Sequence, residues 1–239
     1  MKIILTIVIC FLTAVGIHAD DSKYEKAMKK NLSKIDSAMN VSSMLNVANG
    51  FERIAFAEKD KWLPYYYASF MLTLASFTDT TADNKDGYLD KADIFINIAD
   101  SLEEDESEIY VLKGMIAQAR LQIDPMNRWM KYGPIANNNF LKAMKIDTLN
   151  PRPEYLQGVS LYYTPEQFGG GSAPAKRLLE KSLEKFNLFE TDNDLMPNWG
   201  REMVEQMLGQ INAESEKVSE VEEETNEMQE EVKGEIKEE

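Results

Sequence analysis

The stretch FLKAMKIDTLNPRPEYLQGVSLYY, from Phe140 to Tyr163, decides the fold of this 239-residue chain. It contains the end of one helical pattern, a stop at Asn150-Pro151-Arg152-Pro153, and the start of another helical pattern. Proline ends a preceding helix but is favoured in the first turn of the next one. The same order of helix, stop and helix recurs along the chain, which predicts repeated pairs of helices.

The second helix of each pair carries a small residue, a bulky residue four positions later and a packing residue three further on. The first positions of the four copies are 47, 92, 136 and 175, so the steps are 45, 44 and 39 residues. Spacings of i, i+4 and i+7 put three side chains on one helical face, which predicts that they form the core. The copies are Val47/Phe51/Ile54, Ala92/Ile96/Ala99, Ala136/Phe140/Ala143 and Ala175/Leu179/Ser182.

The first helix of a pair carries one small residue, at Ala68, Gly114 or Gly158, in steps of 46 and 44 residues. An aromatic residue precedes it in each case. We expect that the small residue lets the two helix backbones of a pair approach closely.

The segment LKAMKIDTLNP is similar to the end of a tetratricopeptide repeat (TPR), including its closing proline. The family period is about 34 residues. The period here is longer, and the extra residues fall at about 79–87, 123–133 and 164–172, which are predicted to be loops. The resemblance covers about 42–190 and implies an all-α, right-handed solenoid of TPR-like helix pairs. The domain is predicted over 20–212, with pairs at about 22–58, 62–102, 107–147 and 153–187 and a capping helix at 197–211.

Residues 1–19 are typical of a secretory signal peptide, with Lys2 before an apolar run and Ala19 at the predicted cleavage site. The alternative is an uncleaved anchor, but the run is shorter than the ~20 residues that a spanning helix needs. We therefore expect no stable membrane anchor after cleavage. Cys10 and His18 are the only cysteine and histidine of the chain, and both lie in this segment. Cleavage would exclude cysteine nucleophiles, Ser-His-Asp triads and His/Cys zinc sites. We expect a protein without catalytic residues, metal or cofactor.

Three phrases, DPMNRWMKYGP, YYTPEQFGGG and PNWG, together resemble uncharacterised exported repeat proteins of Bacteroidota. The resemblance implies the periplasm of a Gram-negative bacterium, or secretion from it, and carries no assigned activity.

Net charge is −15, and much of it lies in the predicted tail, 213–239, since Glu214 to Glu239 contains 12 Glu and 3 Lys. An acidic balance argues against nucleic acid as a partner. The composition predicts a disordered or loosely helical tail. Its apolar residues Val218, Val221, Met228 and Val232 leave open a weak coiled coil or a partner-docking segment.

Candidate binding residues follow from the TPR resemblance, because such repeats present the first helix of each pair on a concave face. The predicted groove residues are Tyr65, Ser69, Leu72, Val111, Met115, Gln118, Tyr155, Val159 and Tyr162. A second candidate set lies in the predicted loops at one edge of the solenoid. That set consists of Arg128, Trp129, Tyr132 and Phe168. The alternative for both sets is that the side chains pack against neighbouring helices.

The sequence favours an exported, non-enzymatic binding or scaffold protein that holds a peptide or partner protein in its groove. Two alternatives stay open. One is a glycan-binding or carboxylate-based carbohydrate-active protein of the cell envelope, and the other is a structural role in which the acidic tail mediates assembly. The identity of the ligand and the oligomeric state do not follow from the sequence.

Overall fold

The computed structural model describes residues 22–191 and 193–217. The predicted signal peptide and nearly all of the acidic tail lie outside these residues. Within them the regular structure consists of α-helices and one 3₁₀ turn, which confirms the predicted all-α class. The helices are α1 (22–32), α2 (Val41–Ala57), α3 (Trp62–Thr78), α4 (Ala82–Leu102), α5 (Ser107–Ile123), α6 (Pro125–Ile146), α7 (Arg152–Tyr162), α8 (Ser172–Leu188) and α9, described over 201–217; the 3₁₀ turn is Glu166–Phe168.

These helices belong to two compact units. The first unit contains the described residues up to Asn150 together with Glu190–Pro197, and therefore holds α1 to α6. The second unit contains Pro151–Phe189 and the described residues from Asn198 onward, and holds α7 to α9. Within the first unit each helix from α2 to α6 packs against the next, and α3 also contacts α5. In the second unit α7 packs against α8.

The repeated core pattern is confirmed. The small, bulky and packing residues of all four copies are buried, except that Ile54 is half-buried. A Cβ atom on Gly114 of α5 would overlap the ring of Phe140 on α6. A Cβ atom on Gly158 of α7 would lie 2.9 Å from Cγ of Leu179 on α8. The small residue of one helix thus faces the bulky residue of its partner, as the spacing predicts.

A further glycine contact joins α1 to α2. The side chain of Asn31 donates a hydrogen bond to the carbonyl of Val47, at 2.9 Å, and occupies the space where Gly50 would carry a side chain. Gly50 therefore contributes a close approach that offsets its low helix propensity.

Two predicted loops are wrong in this structure, because 82–87 belong to α4 and 125–133 belong to α6. Asp124 caps α6 by accepting a hydrogen bond from the backbone N–H of Asn127, at 3.4 Å, and Pro125 occupies the favoured first turn. The helix then continues through Pro134, which removes one backbone hydrogen bond without ending the helix. The third predicted loop is confirmed and contains the 3₁₀ turn.

Two other helix boundaries are set by local contacts, and the start of α9 differs from the predicted start at 197. Helix α1 ends at residue 32, where the Ser33 hydroxyl donates to the carbonyl of Lys30, at 3.2 Å, and competes with the helical pattern. Helix α9 begins at residue 201 because Gly200, with φ of 112°, turns the chain just before it. Among the helices that the structure describes, none is long and apolar enough to cross a membrane.

Candidate functional site

A cleft of about 240 Å³ opens where α4, α5 and α6 meet in the first unit. Each helix contributes side chains at helical spacing, so each presents one face to the cleft. The lining residues are Asp93 and Asn97 from α4, Lys113, Ile116, Ala117 and Arg120 from α5, and Tyr132, Ile135 and Asn139 from α6.

The base of the cleft is apolar and its rim is partly aromatic. Ile116 and Ala117 are buried beneath it, whereas Ile135 is 41% exposed and Tyr132 is half-buried. Such a surface favours a ligand with an apolar body and a few polar groups at its edge.

One end of the cleft is fixed by Arg120. Its guanidinium contacts Asp93 at 2.6 Å, Asp90 at 2.7 Å and Asp86 at 3.3 Å. Burial lowers the pKa of Arg120, but the hydrogen bonds that Arg120 donates to Asp93 and Asp90 outweigh this effect and leave the pKa above its ordinary value. The cation is therefore permanent, and its charge is shared among three carboxylates.

Arg128 ties α6 to α4 beside the same end. Its guanidinium donates to both carboxylate oxygens of Asp86, at 2.8 and 2.7 Å. This bidentate pair holds the pKa of Asp86 below its usual value. Arg128 lies one helical turn before Tyr132, on the same side of α6.

The other end of the cleft carries a second group of paired charges. Lys113 contacts Asp100 at 2.7 Å and lies 5.3 Å from the centre of the Tyr110 ring. Lys142 covers the same ring at 3.8 Å and donates to the Tyr110 hydroxyl at 2.6 Å. Both ends of the cleft thus present cations that already have carboxylate or aromatic partners.

Most of the predicted groove residues lie elsewhere than expected. Six of them lie on α3 and α5. All of these six except Gln118 are buried, so their side chains form core rather than an open groove. The reason is that neighbouring helices cover α3 and α5, as when the Ser69 hydroxyl donates to the Ala92 carbonyl at 2.9 Å. The five buried residues are Tyr65, Ser69, Leu72, Val111 and Met115.

The remaining groove residues, Gln118, Tyr155, Val159 and Tyr162, are half-buried, and their role in binding stays a prediction. The Tyr155 ring packs against Trp199 with 6.4 Å between centroids, and burial raises the Tyr155 pKa to about 12. The Tyr162 hydroxyl contacts Glu214 at 2.8 Å, and this hydrogen bond raises the Tyr162 pKa. Both tyrosines therefore already have contacts within the second unit.

The predicted loop-edge residues divide between two units. Arg128, Trp129 and Tyr132 are in α6 rather than in a loop, and only Arg128 and Tyr132 reach the cleft region. Trp129 is 59% exposed, and Phe168, in the second unit, is 75% exposed. Whether Trp129 and Phe168 bind a ligand stays a prediction.

Sequence reasoning missed most of the cleft. The groove prediction placed residues 111, 115 and 118 of α5 towards the ligand, whereas the cleft uses 113, 116, 117 and 120. At 100° per residue the two sets are centred about 180° apart around the helix axis, so the cleft uses the opposite face of α5. Arg120 and its three acids at i, i+4 and i+7 on α4 were the available signal.

Sequence reasoning also missed a buried charge cluster in the second unit. Arg152 is fully buried among the rings of Phe189 and Trp199, with its guanidinium carbon 5.0 and 5.1 Å from the ring centroids. Glu154 is buried and contacts Lys185 at 2.5 Å and Lys181 at 3.0 Å. Both residues lie in the first turn of α7, and their contacts are those of a structural cluster.

No family model matches the chain, and no curated protein matches it. Among solved structures, the HusA haemophore from Porphyromonas gingivalis matches with a TM-score of 0.71 and 32% sequence identity. The match covers 80% of this chain and 94% of the HusA chain. The match is therefore to an all-helical fold that a binding protein uses. The chain belongs to the same family as the HusA haemophore.

Proposed function

We propose that this chain is an exported haem-binding protein and that the α4–α5–α6 cleft holds the haem. The observation that carries the proposal is the similarity to a haemophore over 94% of that protein's chain. Export is supported by the predicted signal peptide at residues 1–19. Within this proposal the helix pairs form the right-handed, TPR-like solenoid that the repeat predicts.

The chemistry of the cleft suits this ligand. Haem has two apolar faces and carries two carboxylates at one edge. Ile116, Ala117 and Ile135 offer an apolar surface, and the Tyr132 ring can stack on the macrocycle. Lys113 and Arg120 place one cation at each end of the cleft. A haem carboxylate would share these cations with Asp100 or Asp93.

The iron has few available protein ligands. The chain beyond residue 19 contains neither histidine nor cysteine, so imidazole and thiolate ligation are excluded once the signal peptide is removed. Tyr132 is the cleft residue whose side chain belongs to the ordinary haem ligands. We therefore assign Tyr132 the role of ligand or stacking partner.

Titration of the cleaved protein, 20–239, with haem tests the proposal through the Soret absorption band. Ile135→Gln removes an apolar contact of the rim and is expected to weaken binding about tenfold, since about 1.4 kcal/mol corresponds to that factor. Tyr132→Phe is expected to shift the Soret band if the phenol ligates the iron, and to leave the band in place if the ring only stacks.

Ile94→Gln is the matched control, because Ile94 is a 59% exposed isoleucine on α4 that does not line the cleft. Its affinity should equal that of the unchanged protein. The proposal fails if the unchanged protein does not bind haem, or if Ile94→Gln and Ile135→Gln weaken binding equally.

The second candidate is the predicted capture of a peptide or partner protein on the first helices of the pairs. It is favoured by the aromatic pair of Tyr162, the last residue of α7, and the exposed Tyr163, whose ring centroids are 5.1 Å apart. Burial of five of the nine predicted groove residues speaks against it. If peptide capture is the function, Tyr162→Ala should reduce recovery of an envelope partner in a pull-down while haem affinity is unchanged.

A further inference from the structure

Helix α6 is basic, whereas the chain as a whole is acidic. Its 22 residues contain Arg128, Lys131, Lys142 and Lys145 and no acid, although the chain has 41 Asp and Glu against 26 Lys and Arg. A solvent-facing helix of this chain would be expected to carry acids as well. The sign of its charge is therefore opposite to that of the protein as a whole.

The same helix exposes large apolar side chains. Met126, Met130 and Leu141 are 84%, 72% and 52% exposed. Their positions fall within about 60° of one another around the helix, so they form one stripe. Lys131 and Lys145 lie beside this stripe, on the side towards the cleft, and both are exposed. We name these five residues the α6 face.

A partner for the α6 face must be acidic and must carry spaced apolar side chains. Residues 218–239 of this chain have both properties, with 10 Glu, 2 Lys and the apolar residues Val218, Val221, Met228 and Val232.

We infer that the α6 face binds the acidic segment 218–239 of a second copy of this chain. The donated segment and the receiving face are different surfaces, so the contact is heterologous. An anionic membrane fits less well, because it would meet the net charge of −15 as well as α6. A single acidic segment bound to α6, by contrast, interacts only with charges within about 8 Å of it, because salt at physiological concentration screens exposed charges beyond that distance.

Two full-length variants of the cleaved protein, 20–239, test this inference. The first, Lys131→Glu with Lys145→Glu, reverses the charges of the receiving face. The second, with Glu222, Glu223, Glu230 and Glu231 each replaced by Lys, reverses charges of the donated segment. Sedimentation velocity at low salt is expected to show association of the unchanged protein. The association constant should fall at least tenfold in either variant, and also at high salt.

An equimolar mixture of the two variants is the decisive sample. It combines an intact acidic segment with an intact α6 face, so association should return in the mixture although each variant alone is monomeric. Lys30→Glu with Lys59→Glu is the matched control, since both lysines are exposed and lie outside α6, and it should associate as the unchanged protein does. The inference would be overturned if the unchanged protein stays monomeric at about 100 μM. That concentration is about tenfold above a weak Kd of about 10 μM. A mixture that stays monomeric would also overturn the inference, since it would leave only a contact within one chain or none.

Discussion

At the residue scale, Gly114 tests the pairing of α5 with α6. A methyl group at this position would overlap the Phe140 ring, so Gly114→Ala is expected to lower the free energy of unfolding by about 1–3 kcal/mol. Gly87→Ala is the matched control, because Gly87 is also helical and its added methyl group meets no atom within 4 Å. The control should gain about 0.5–1 kcal/mol from helix propensity. Urea denaturation of both variants measures the difference, and equal effects of the two substitutions would contradict the pairing.

Glu106 offers a second residue-scale prediction, which depends on pH. Its carboxylate caps α5 by accepting from the Glu108 N–H at 3.0 Å, but burial raises its pKa above the ordinary value. Because the pKa of Glu106 is raised in the folded state, stability is lost as pH rises from the unfolded pKa through the folded pKa. Glu106→Gln keeps an oxygen acceptor and removes the charge, so it should be more stable than the unchanged protein at pH 7. The gain should vanish near pH 3, where both folded and unfolded Glu106 are protonated, and a gain that persists there would contradict this explanation.

At the element scale, the first half of α6 depends on the pair between Arg128 and Asp86. The pair is partly exposed, so Asp86→Asn should cost at most about 1 kcal/mol at pH 7. Because the folded pKa of Asp86 is lowered, the cost should disappear as pH falls through that lowered pKa. Hydrogen exchange of the amides of 127–133 should speed up in Asp86→Asn. Asp36→Asn, which removes an exposed acid from the α1–α2 connection, should leave that exchange unchanged.

Element boundaries show where prediction from the sequence succeeded and where it failed. The i, i+4, i+7 pattern located α4, α6 and α8 because it records burial, which the fold imposes on every copy. The same reasoning assigned 125–133 to a loop, since Asp124-Pro125 and Gly133-Pro134 both resemble breaks. Two contacts distinguish a helix start from a loop here. Asp124 accepts a hydrogen bond from the backbone N–H of Asn127, and Arg128 pairs with Asp86, which is 42 residues away in the sequence.

The position of the α4–α5–α6 cleft could not be predicted from the repeat. That position depends on the rotation of α5 about its axis, and the cleft lies on the face of α5 about 180° from the predicted groove residues. Gly114 sets that rotation by facing Phe140, so the residue that identifies the repeat also orients the cleft. The sequence correctly identified Gly114 as the small contact residue of α5. Which face of α5 stays open depends on which neighbouring helices cover the other faces.

At the scale of the whole molecule, the central claim is that the protein binds haem in the α4–α5–α6 cleft. Backbone amide signals recorded by NMR with ferric haem, and with diamagnetic gallium protoporphyrin as the control, test it most directly. Paramagnetic broadening should centre on the amides of Ile116, Tyr132 and Ile135 and be absent with the gallium complex. Broadening centred on α7 and α8, or no broadening with excess haem, would contradict the claim.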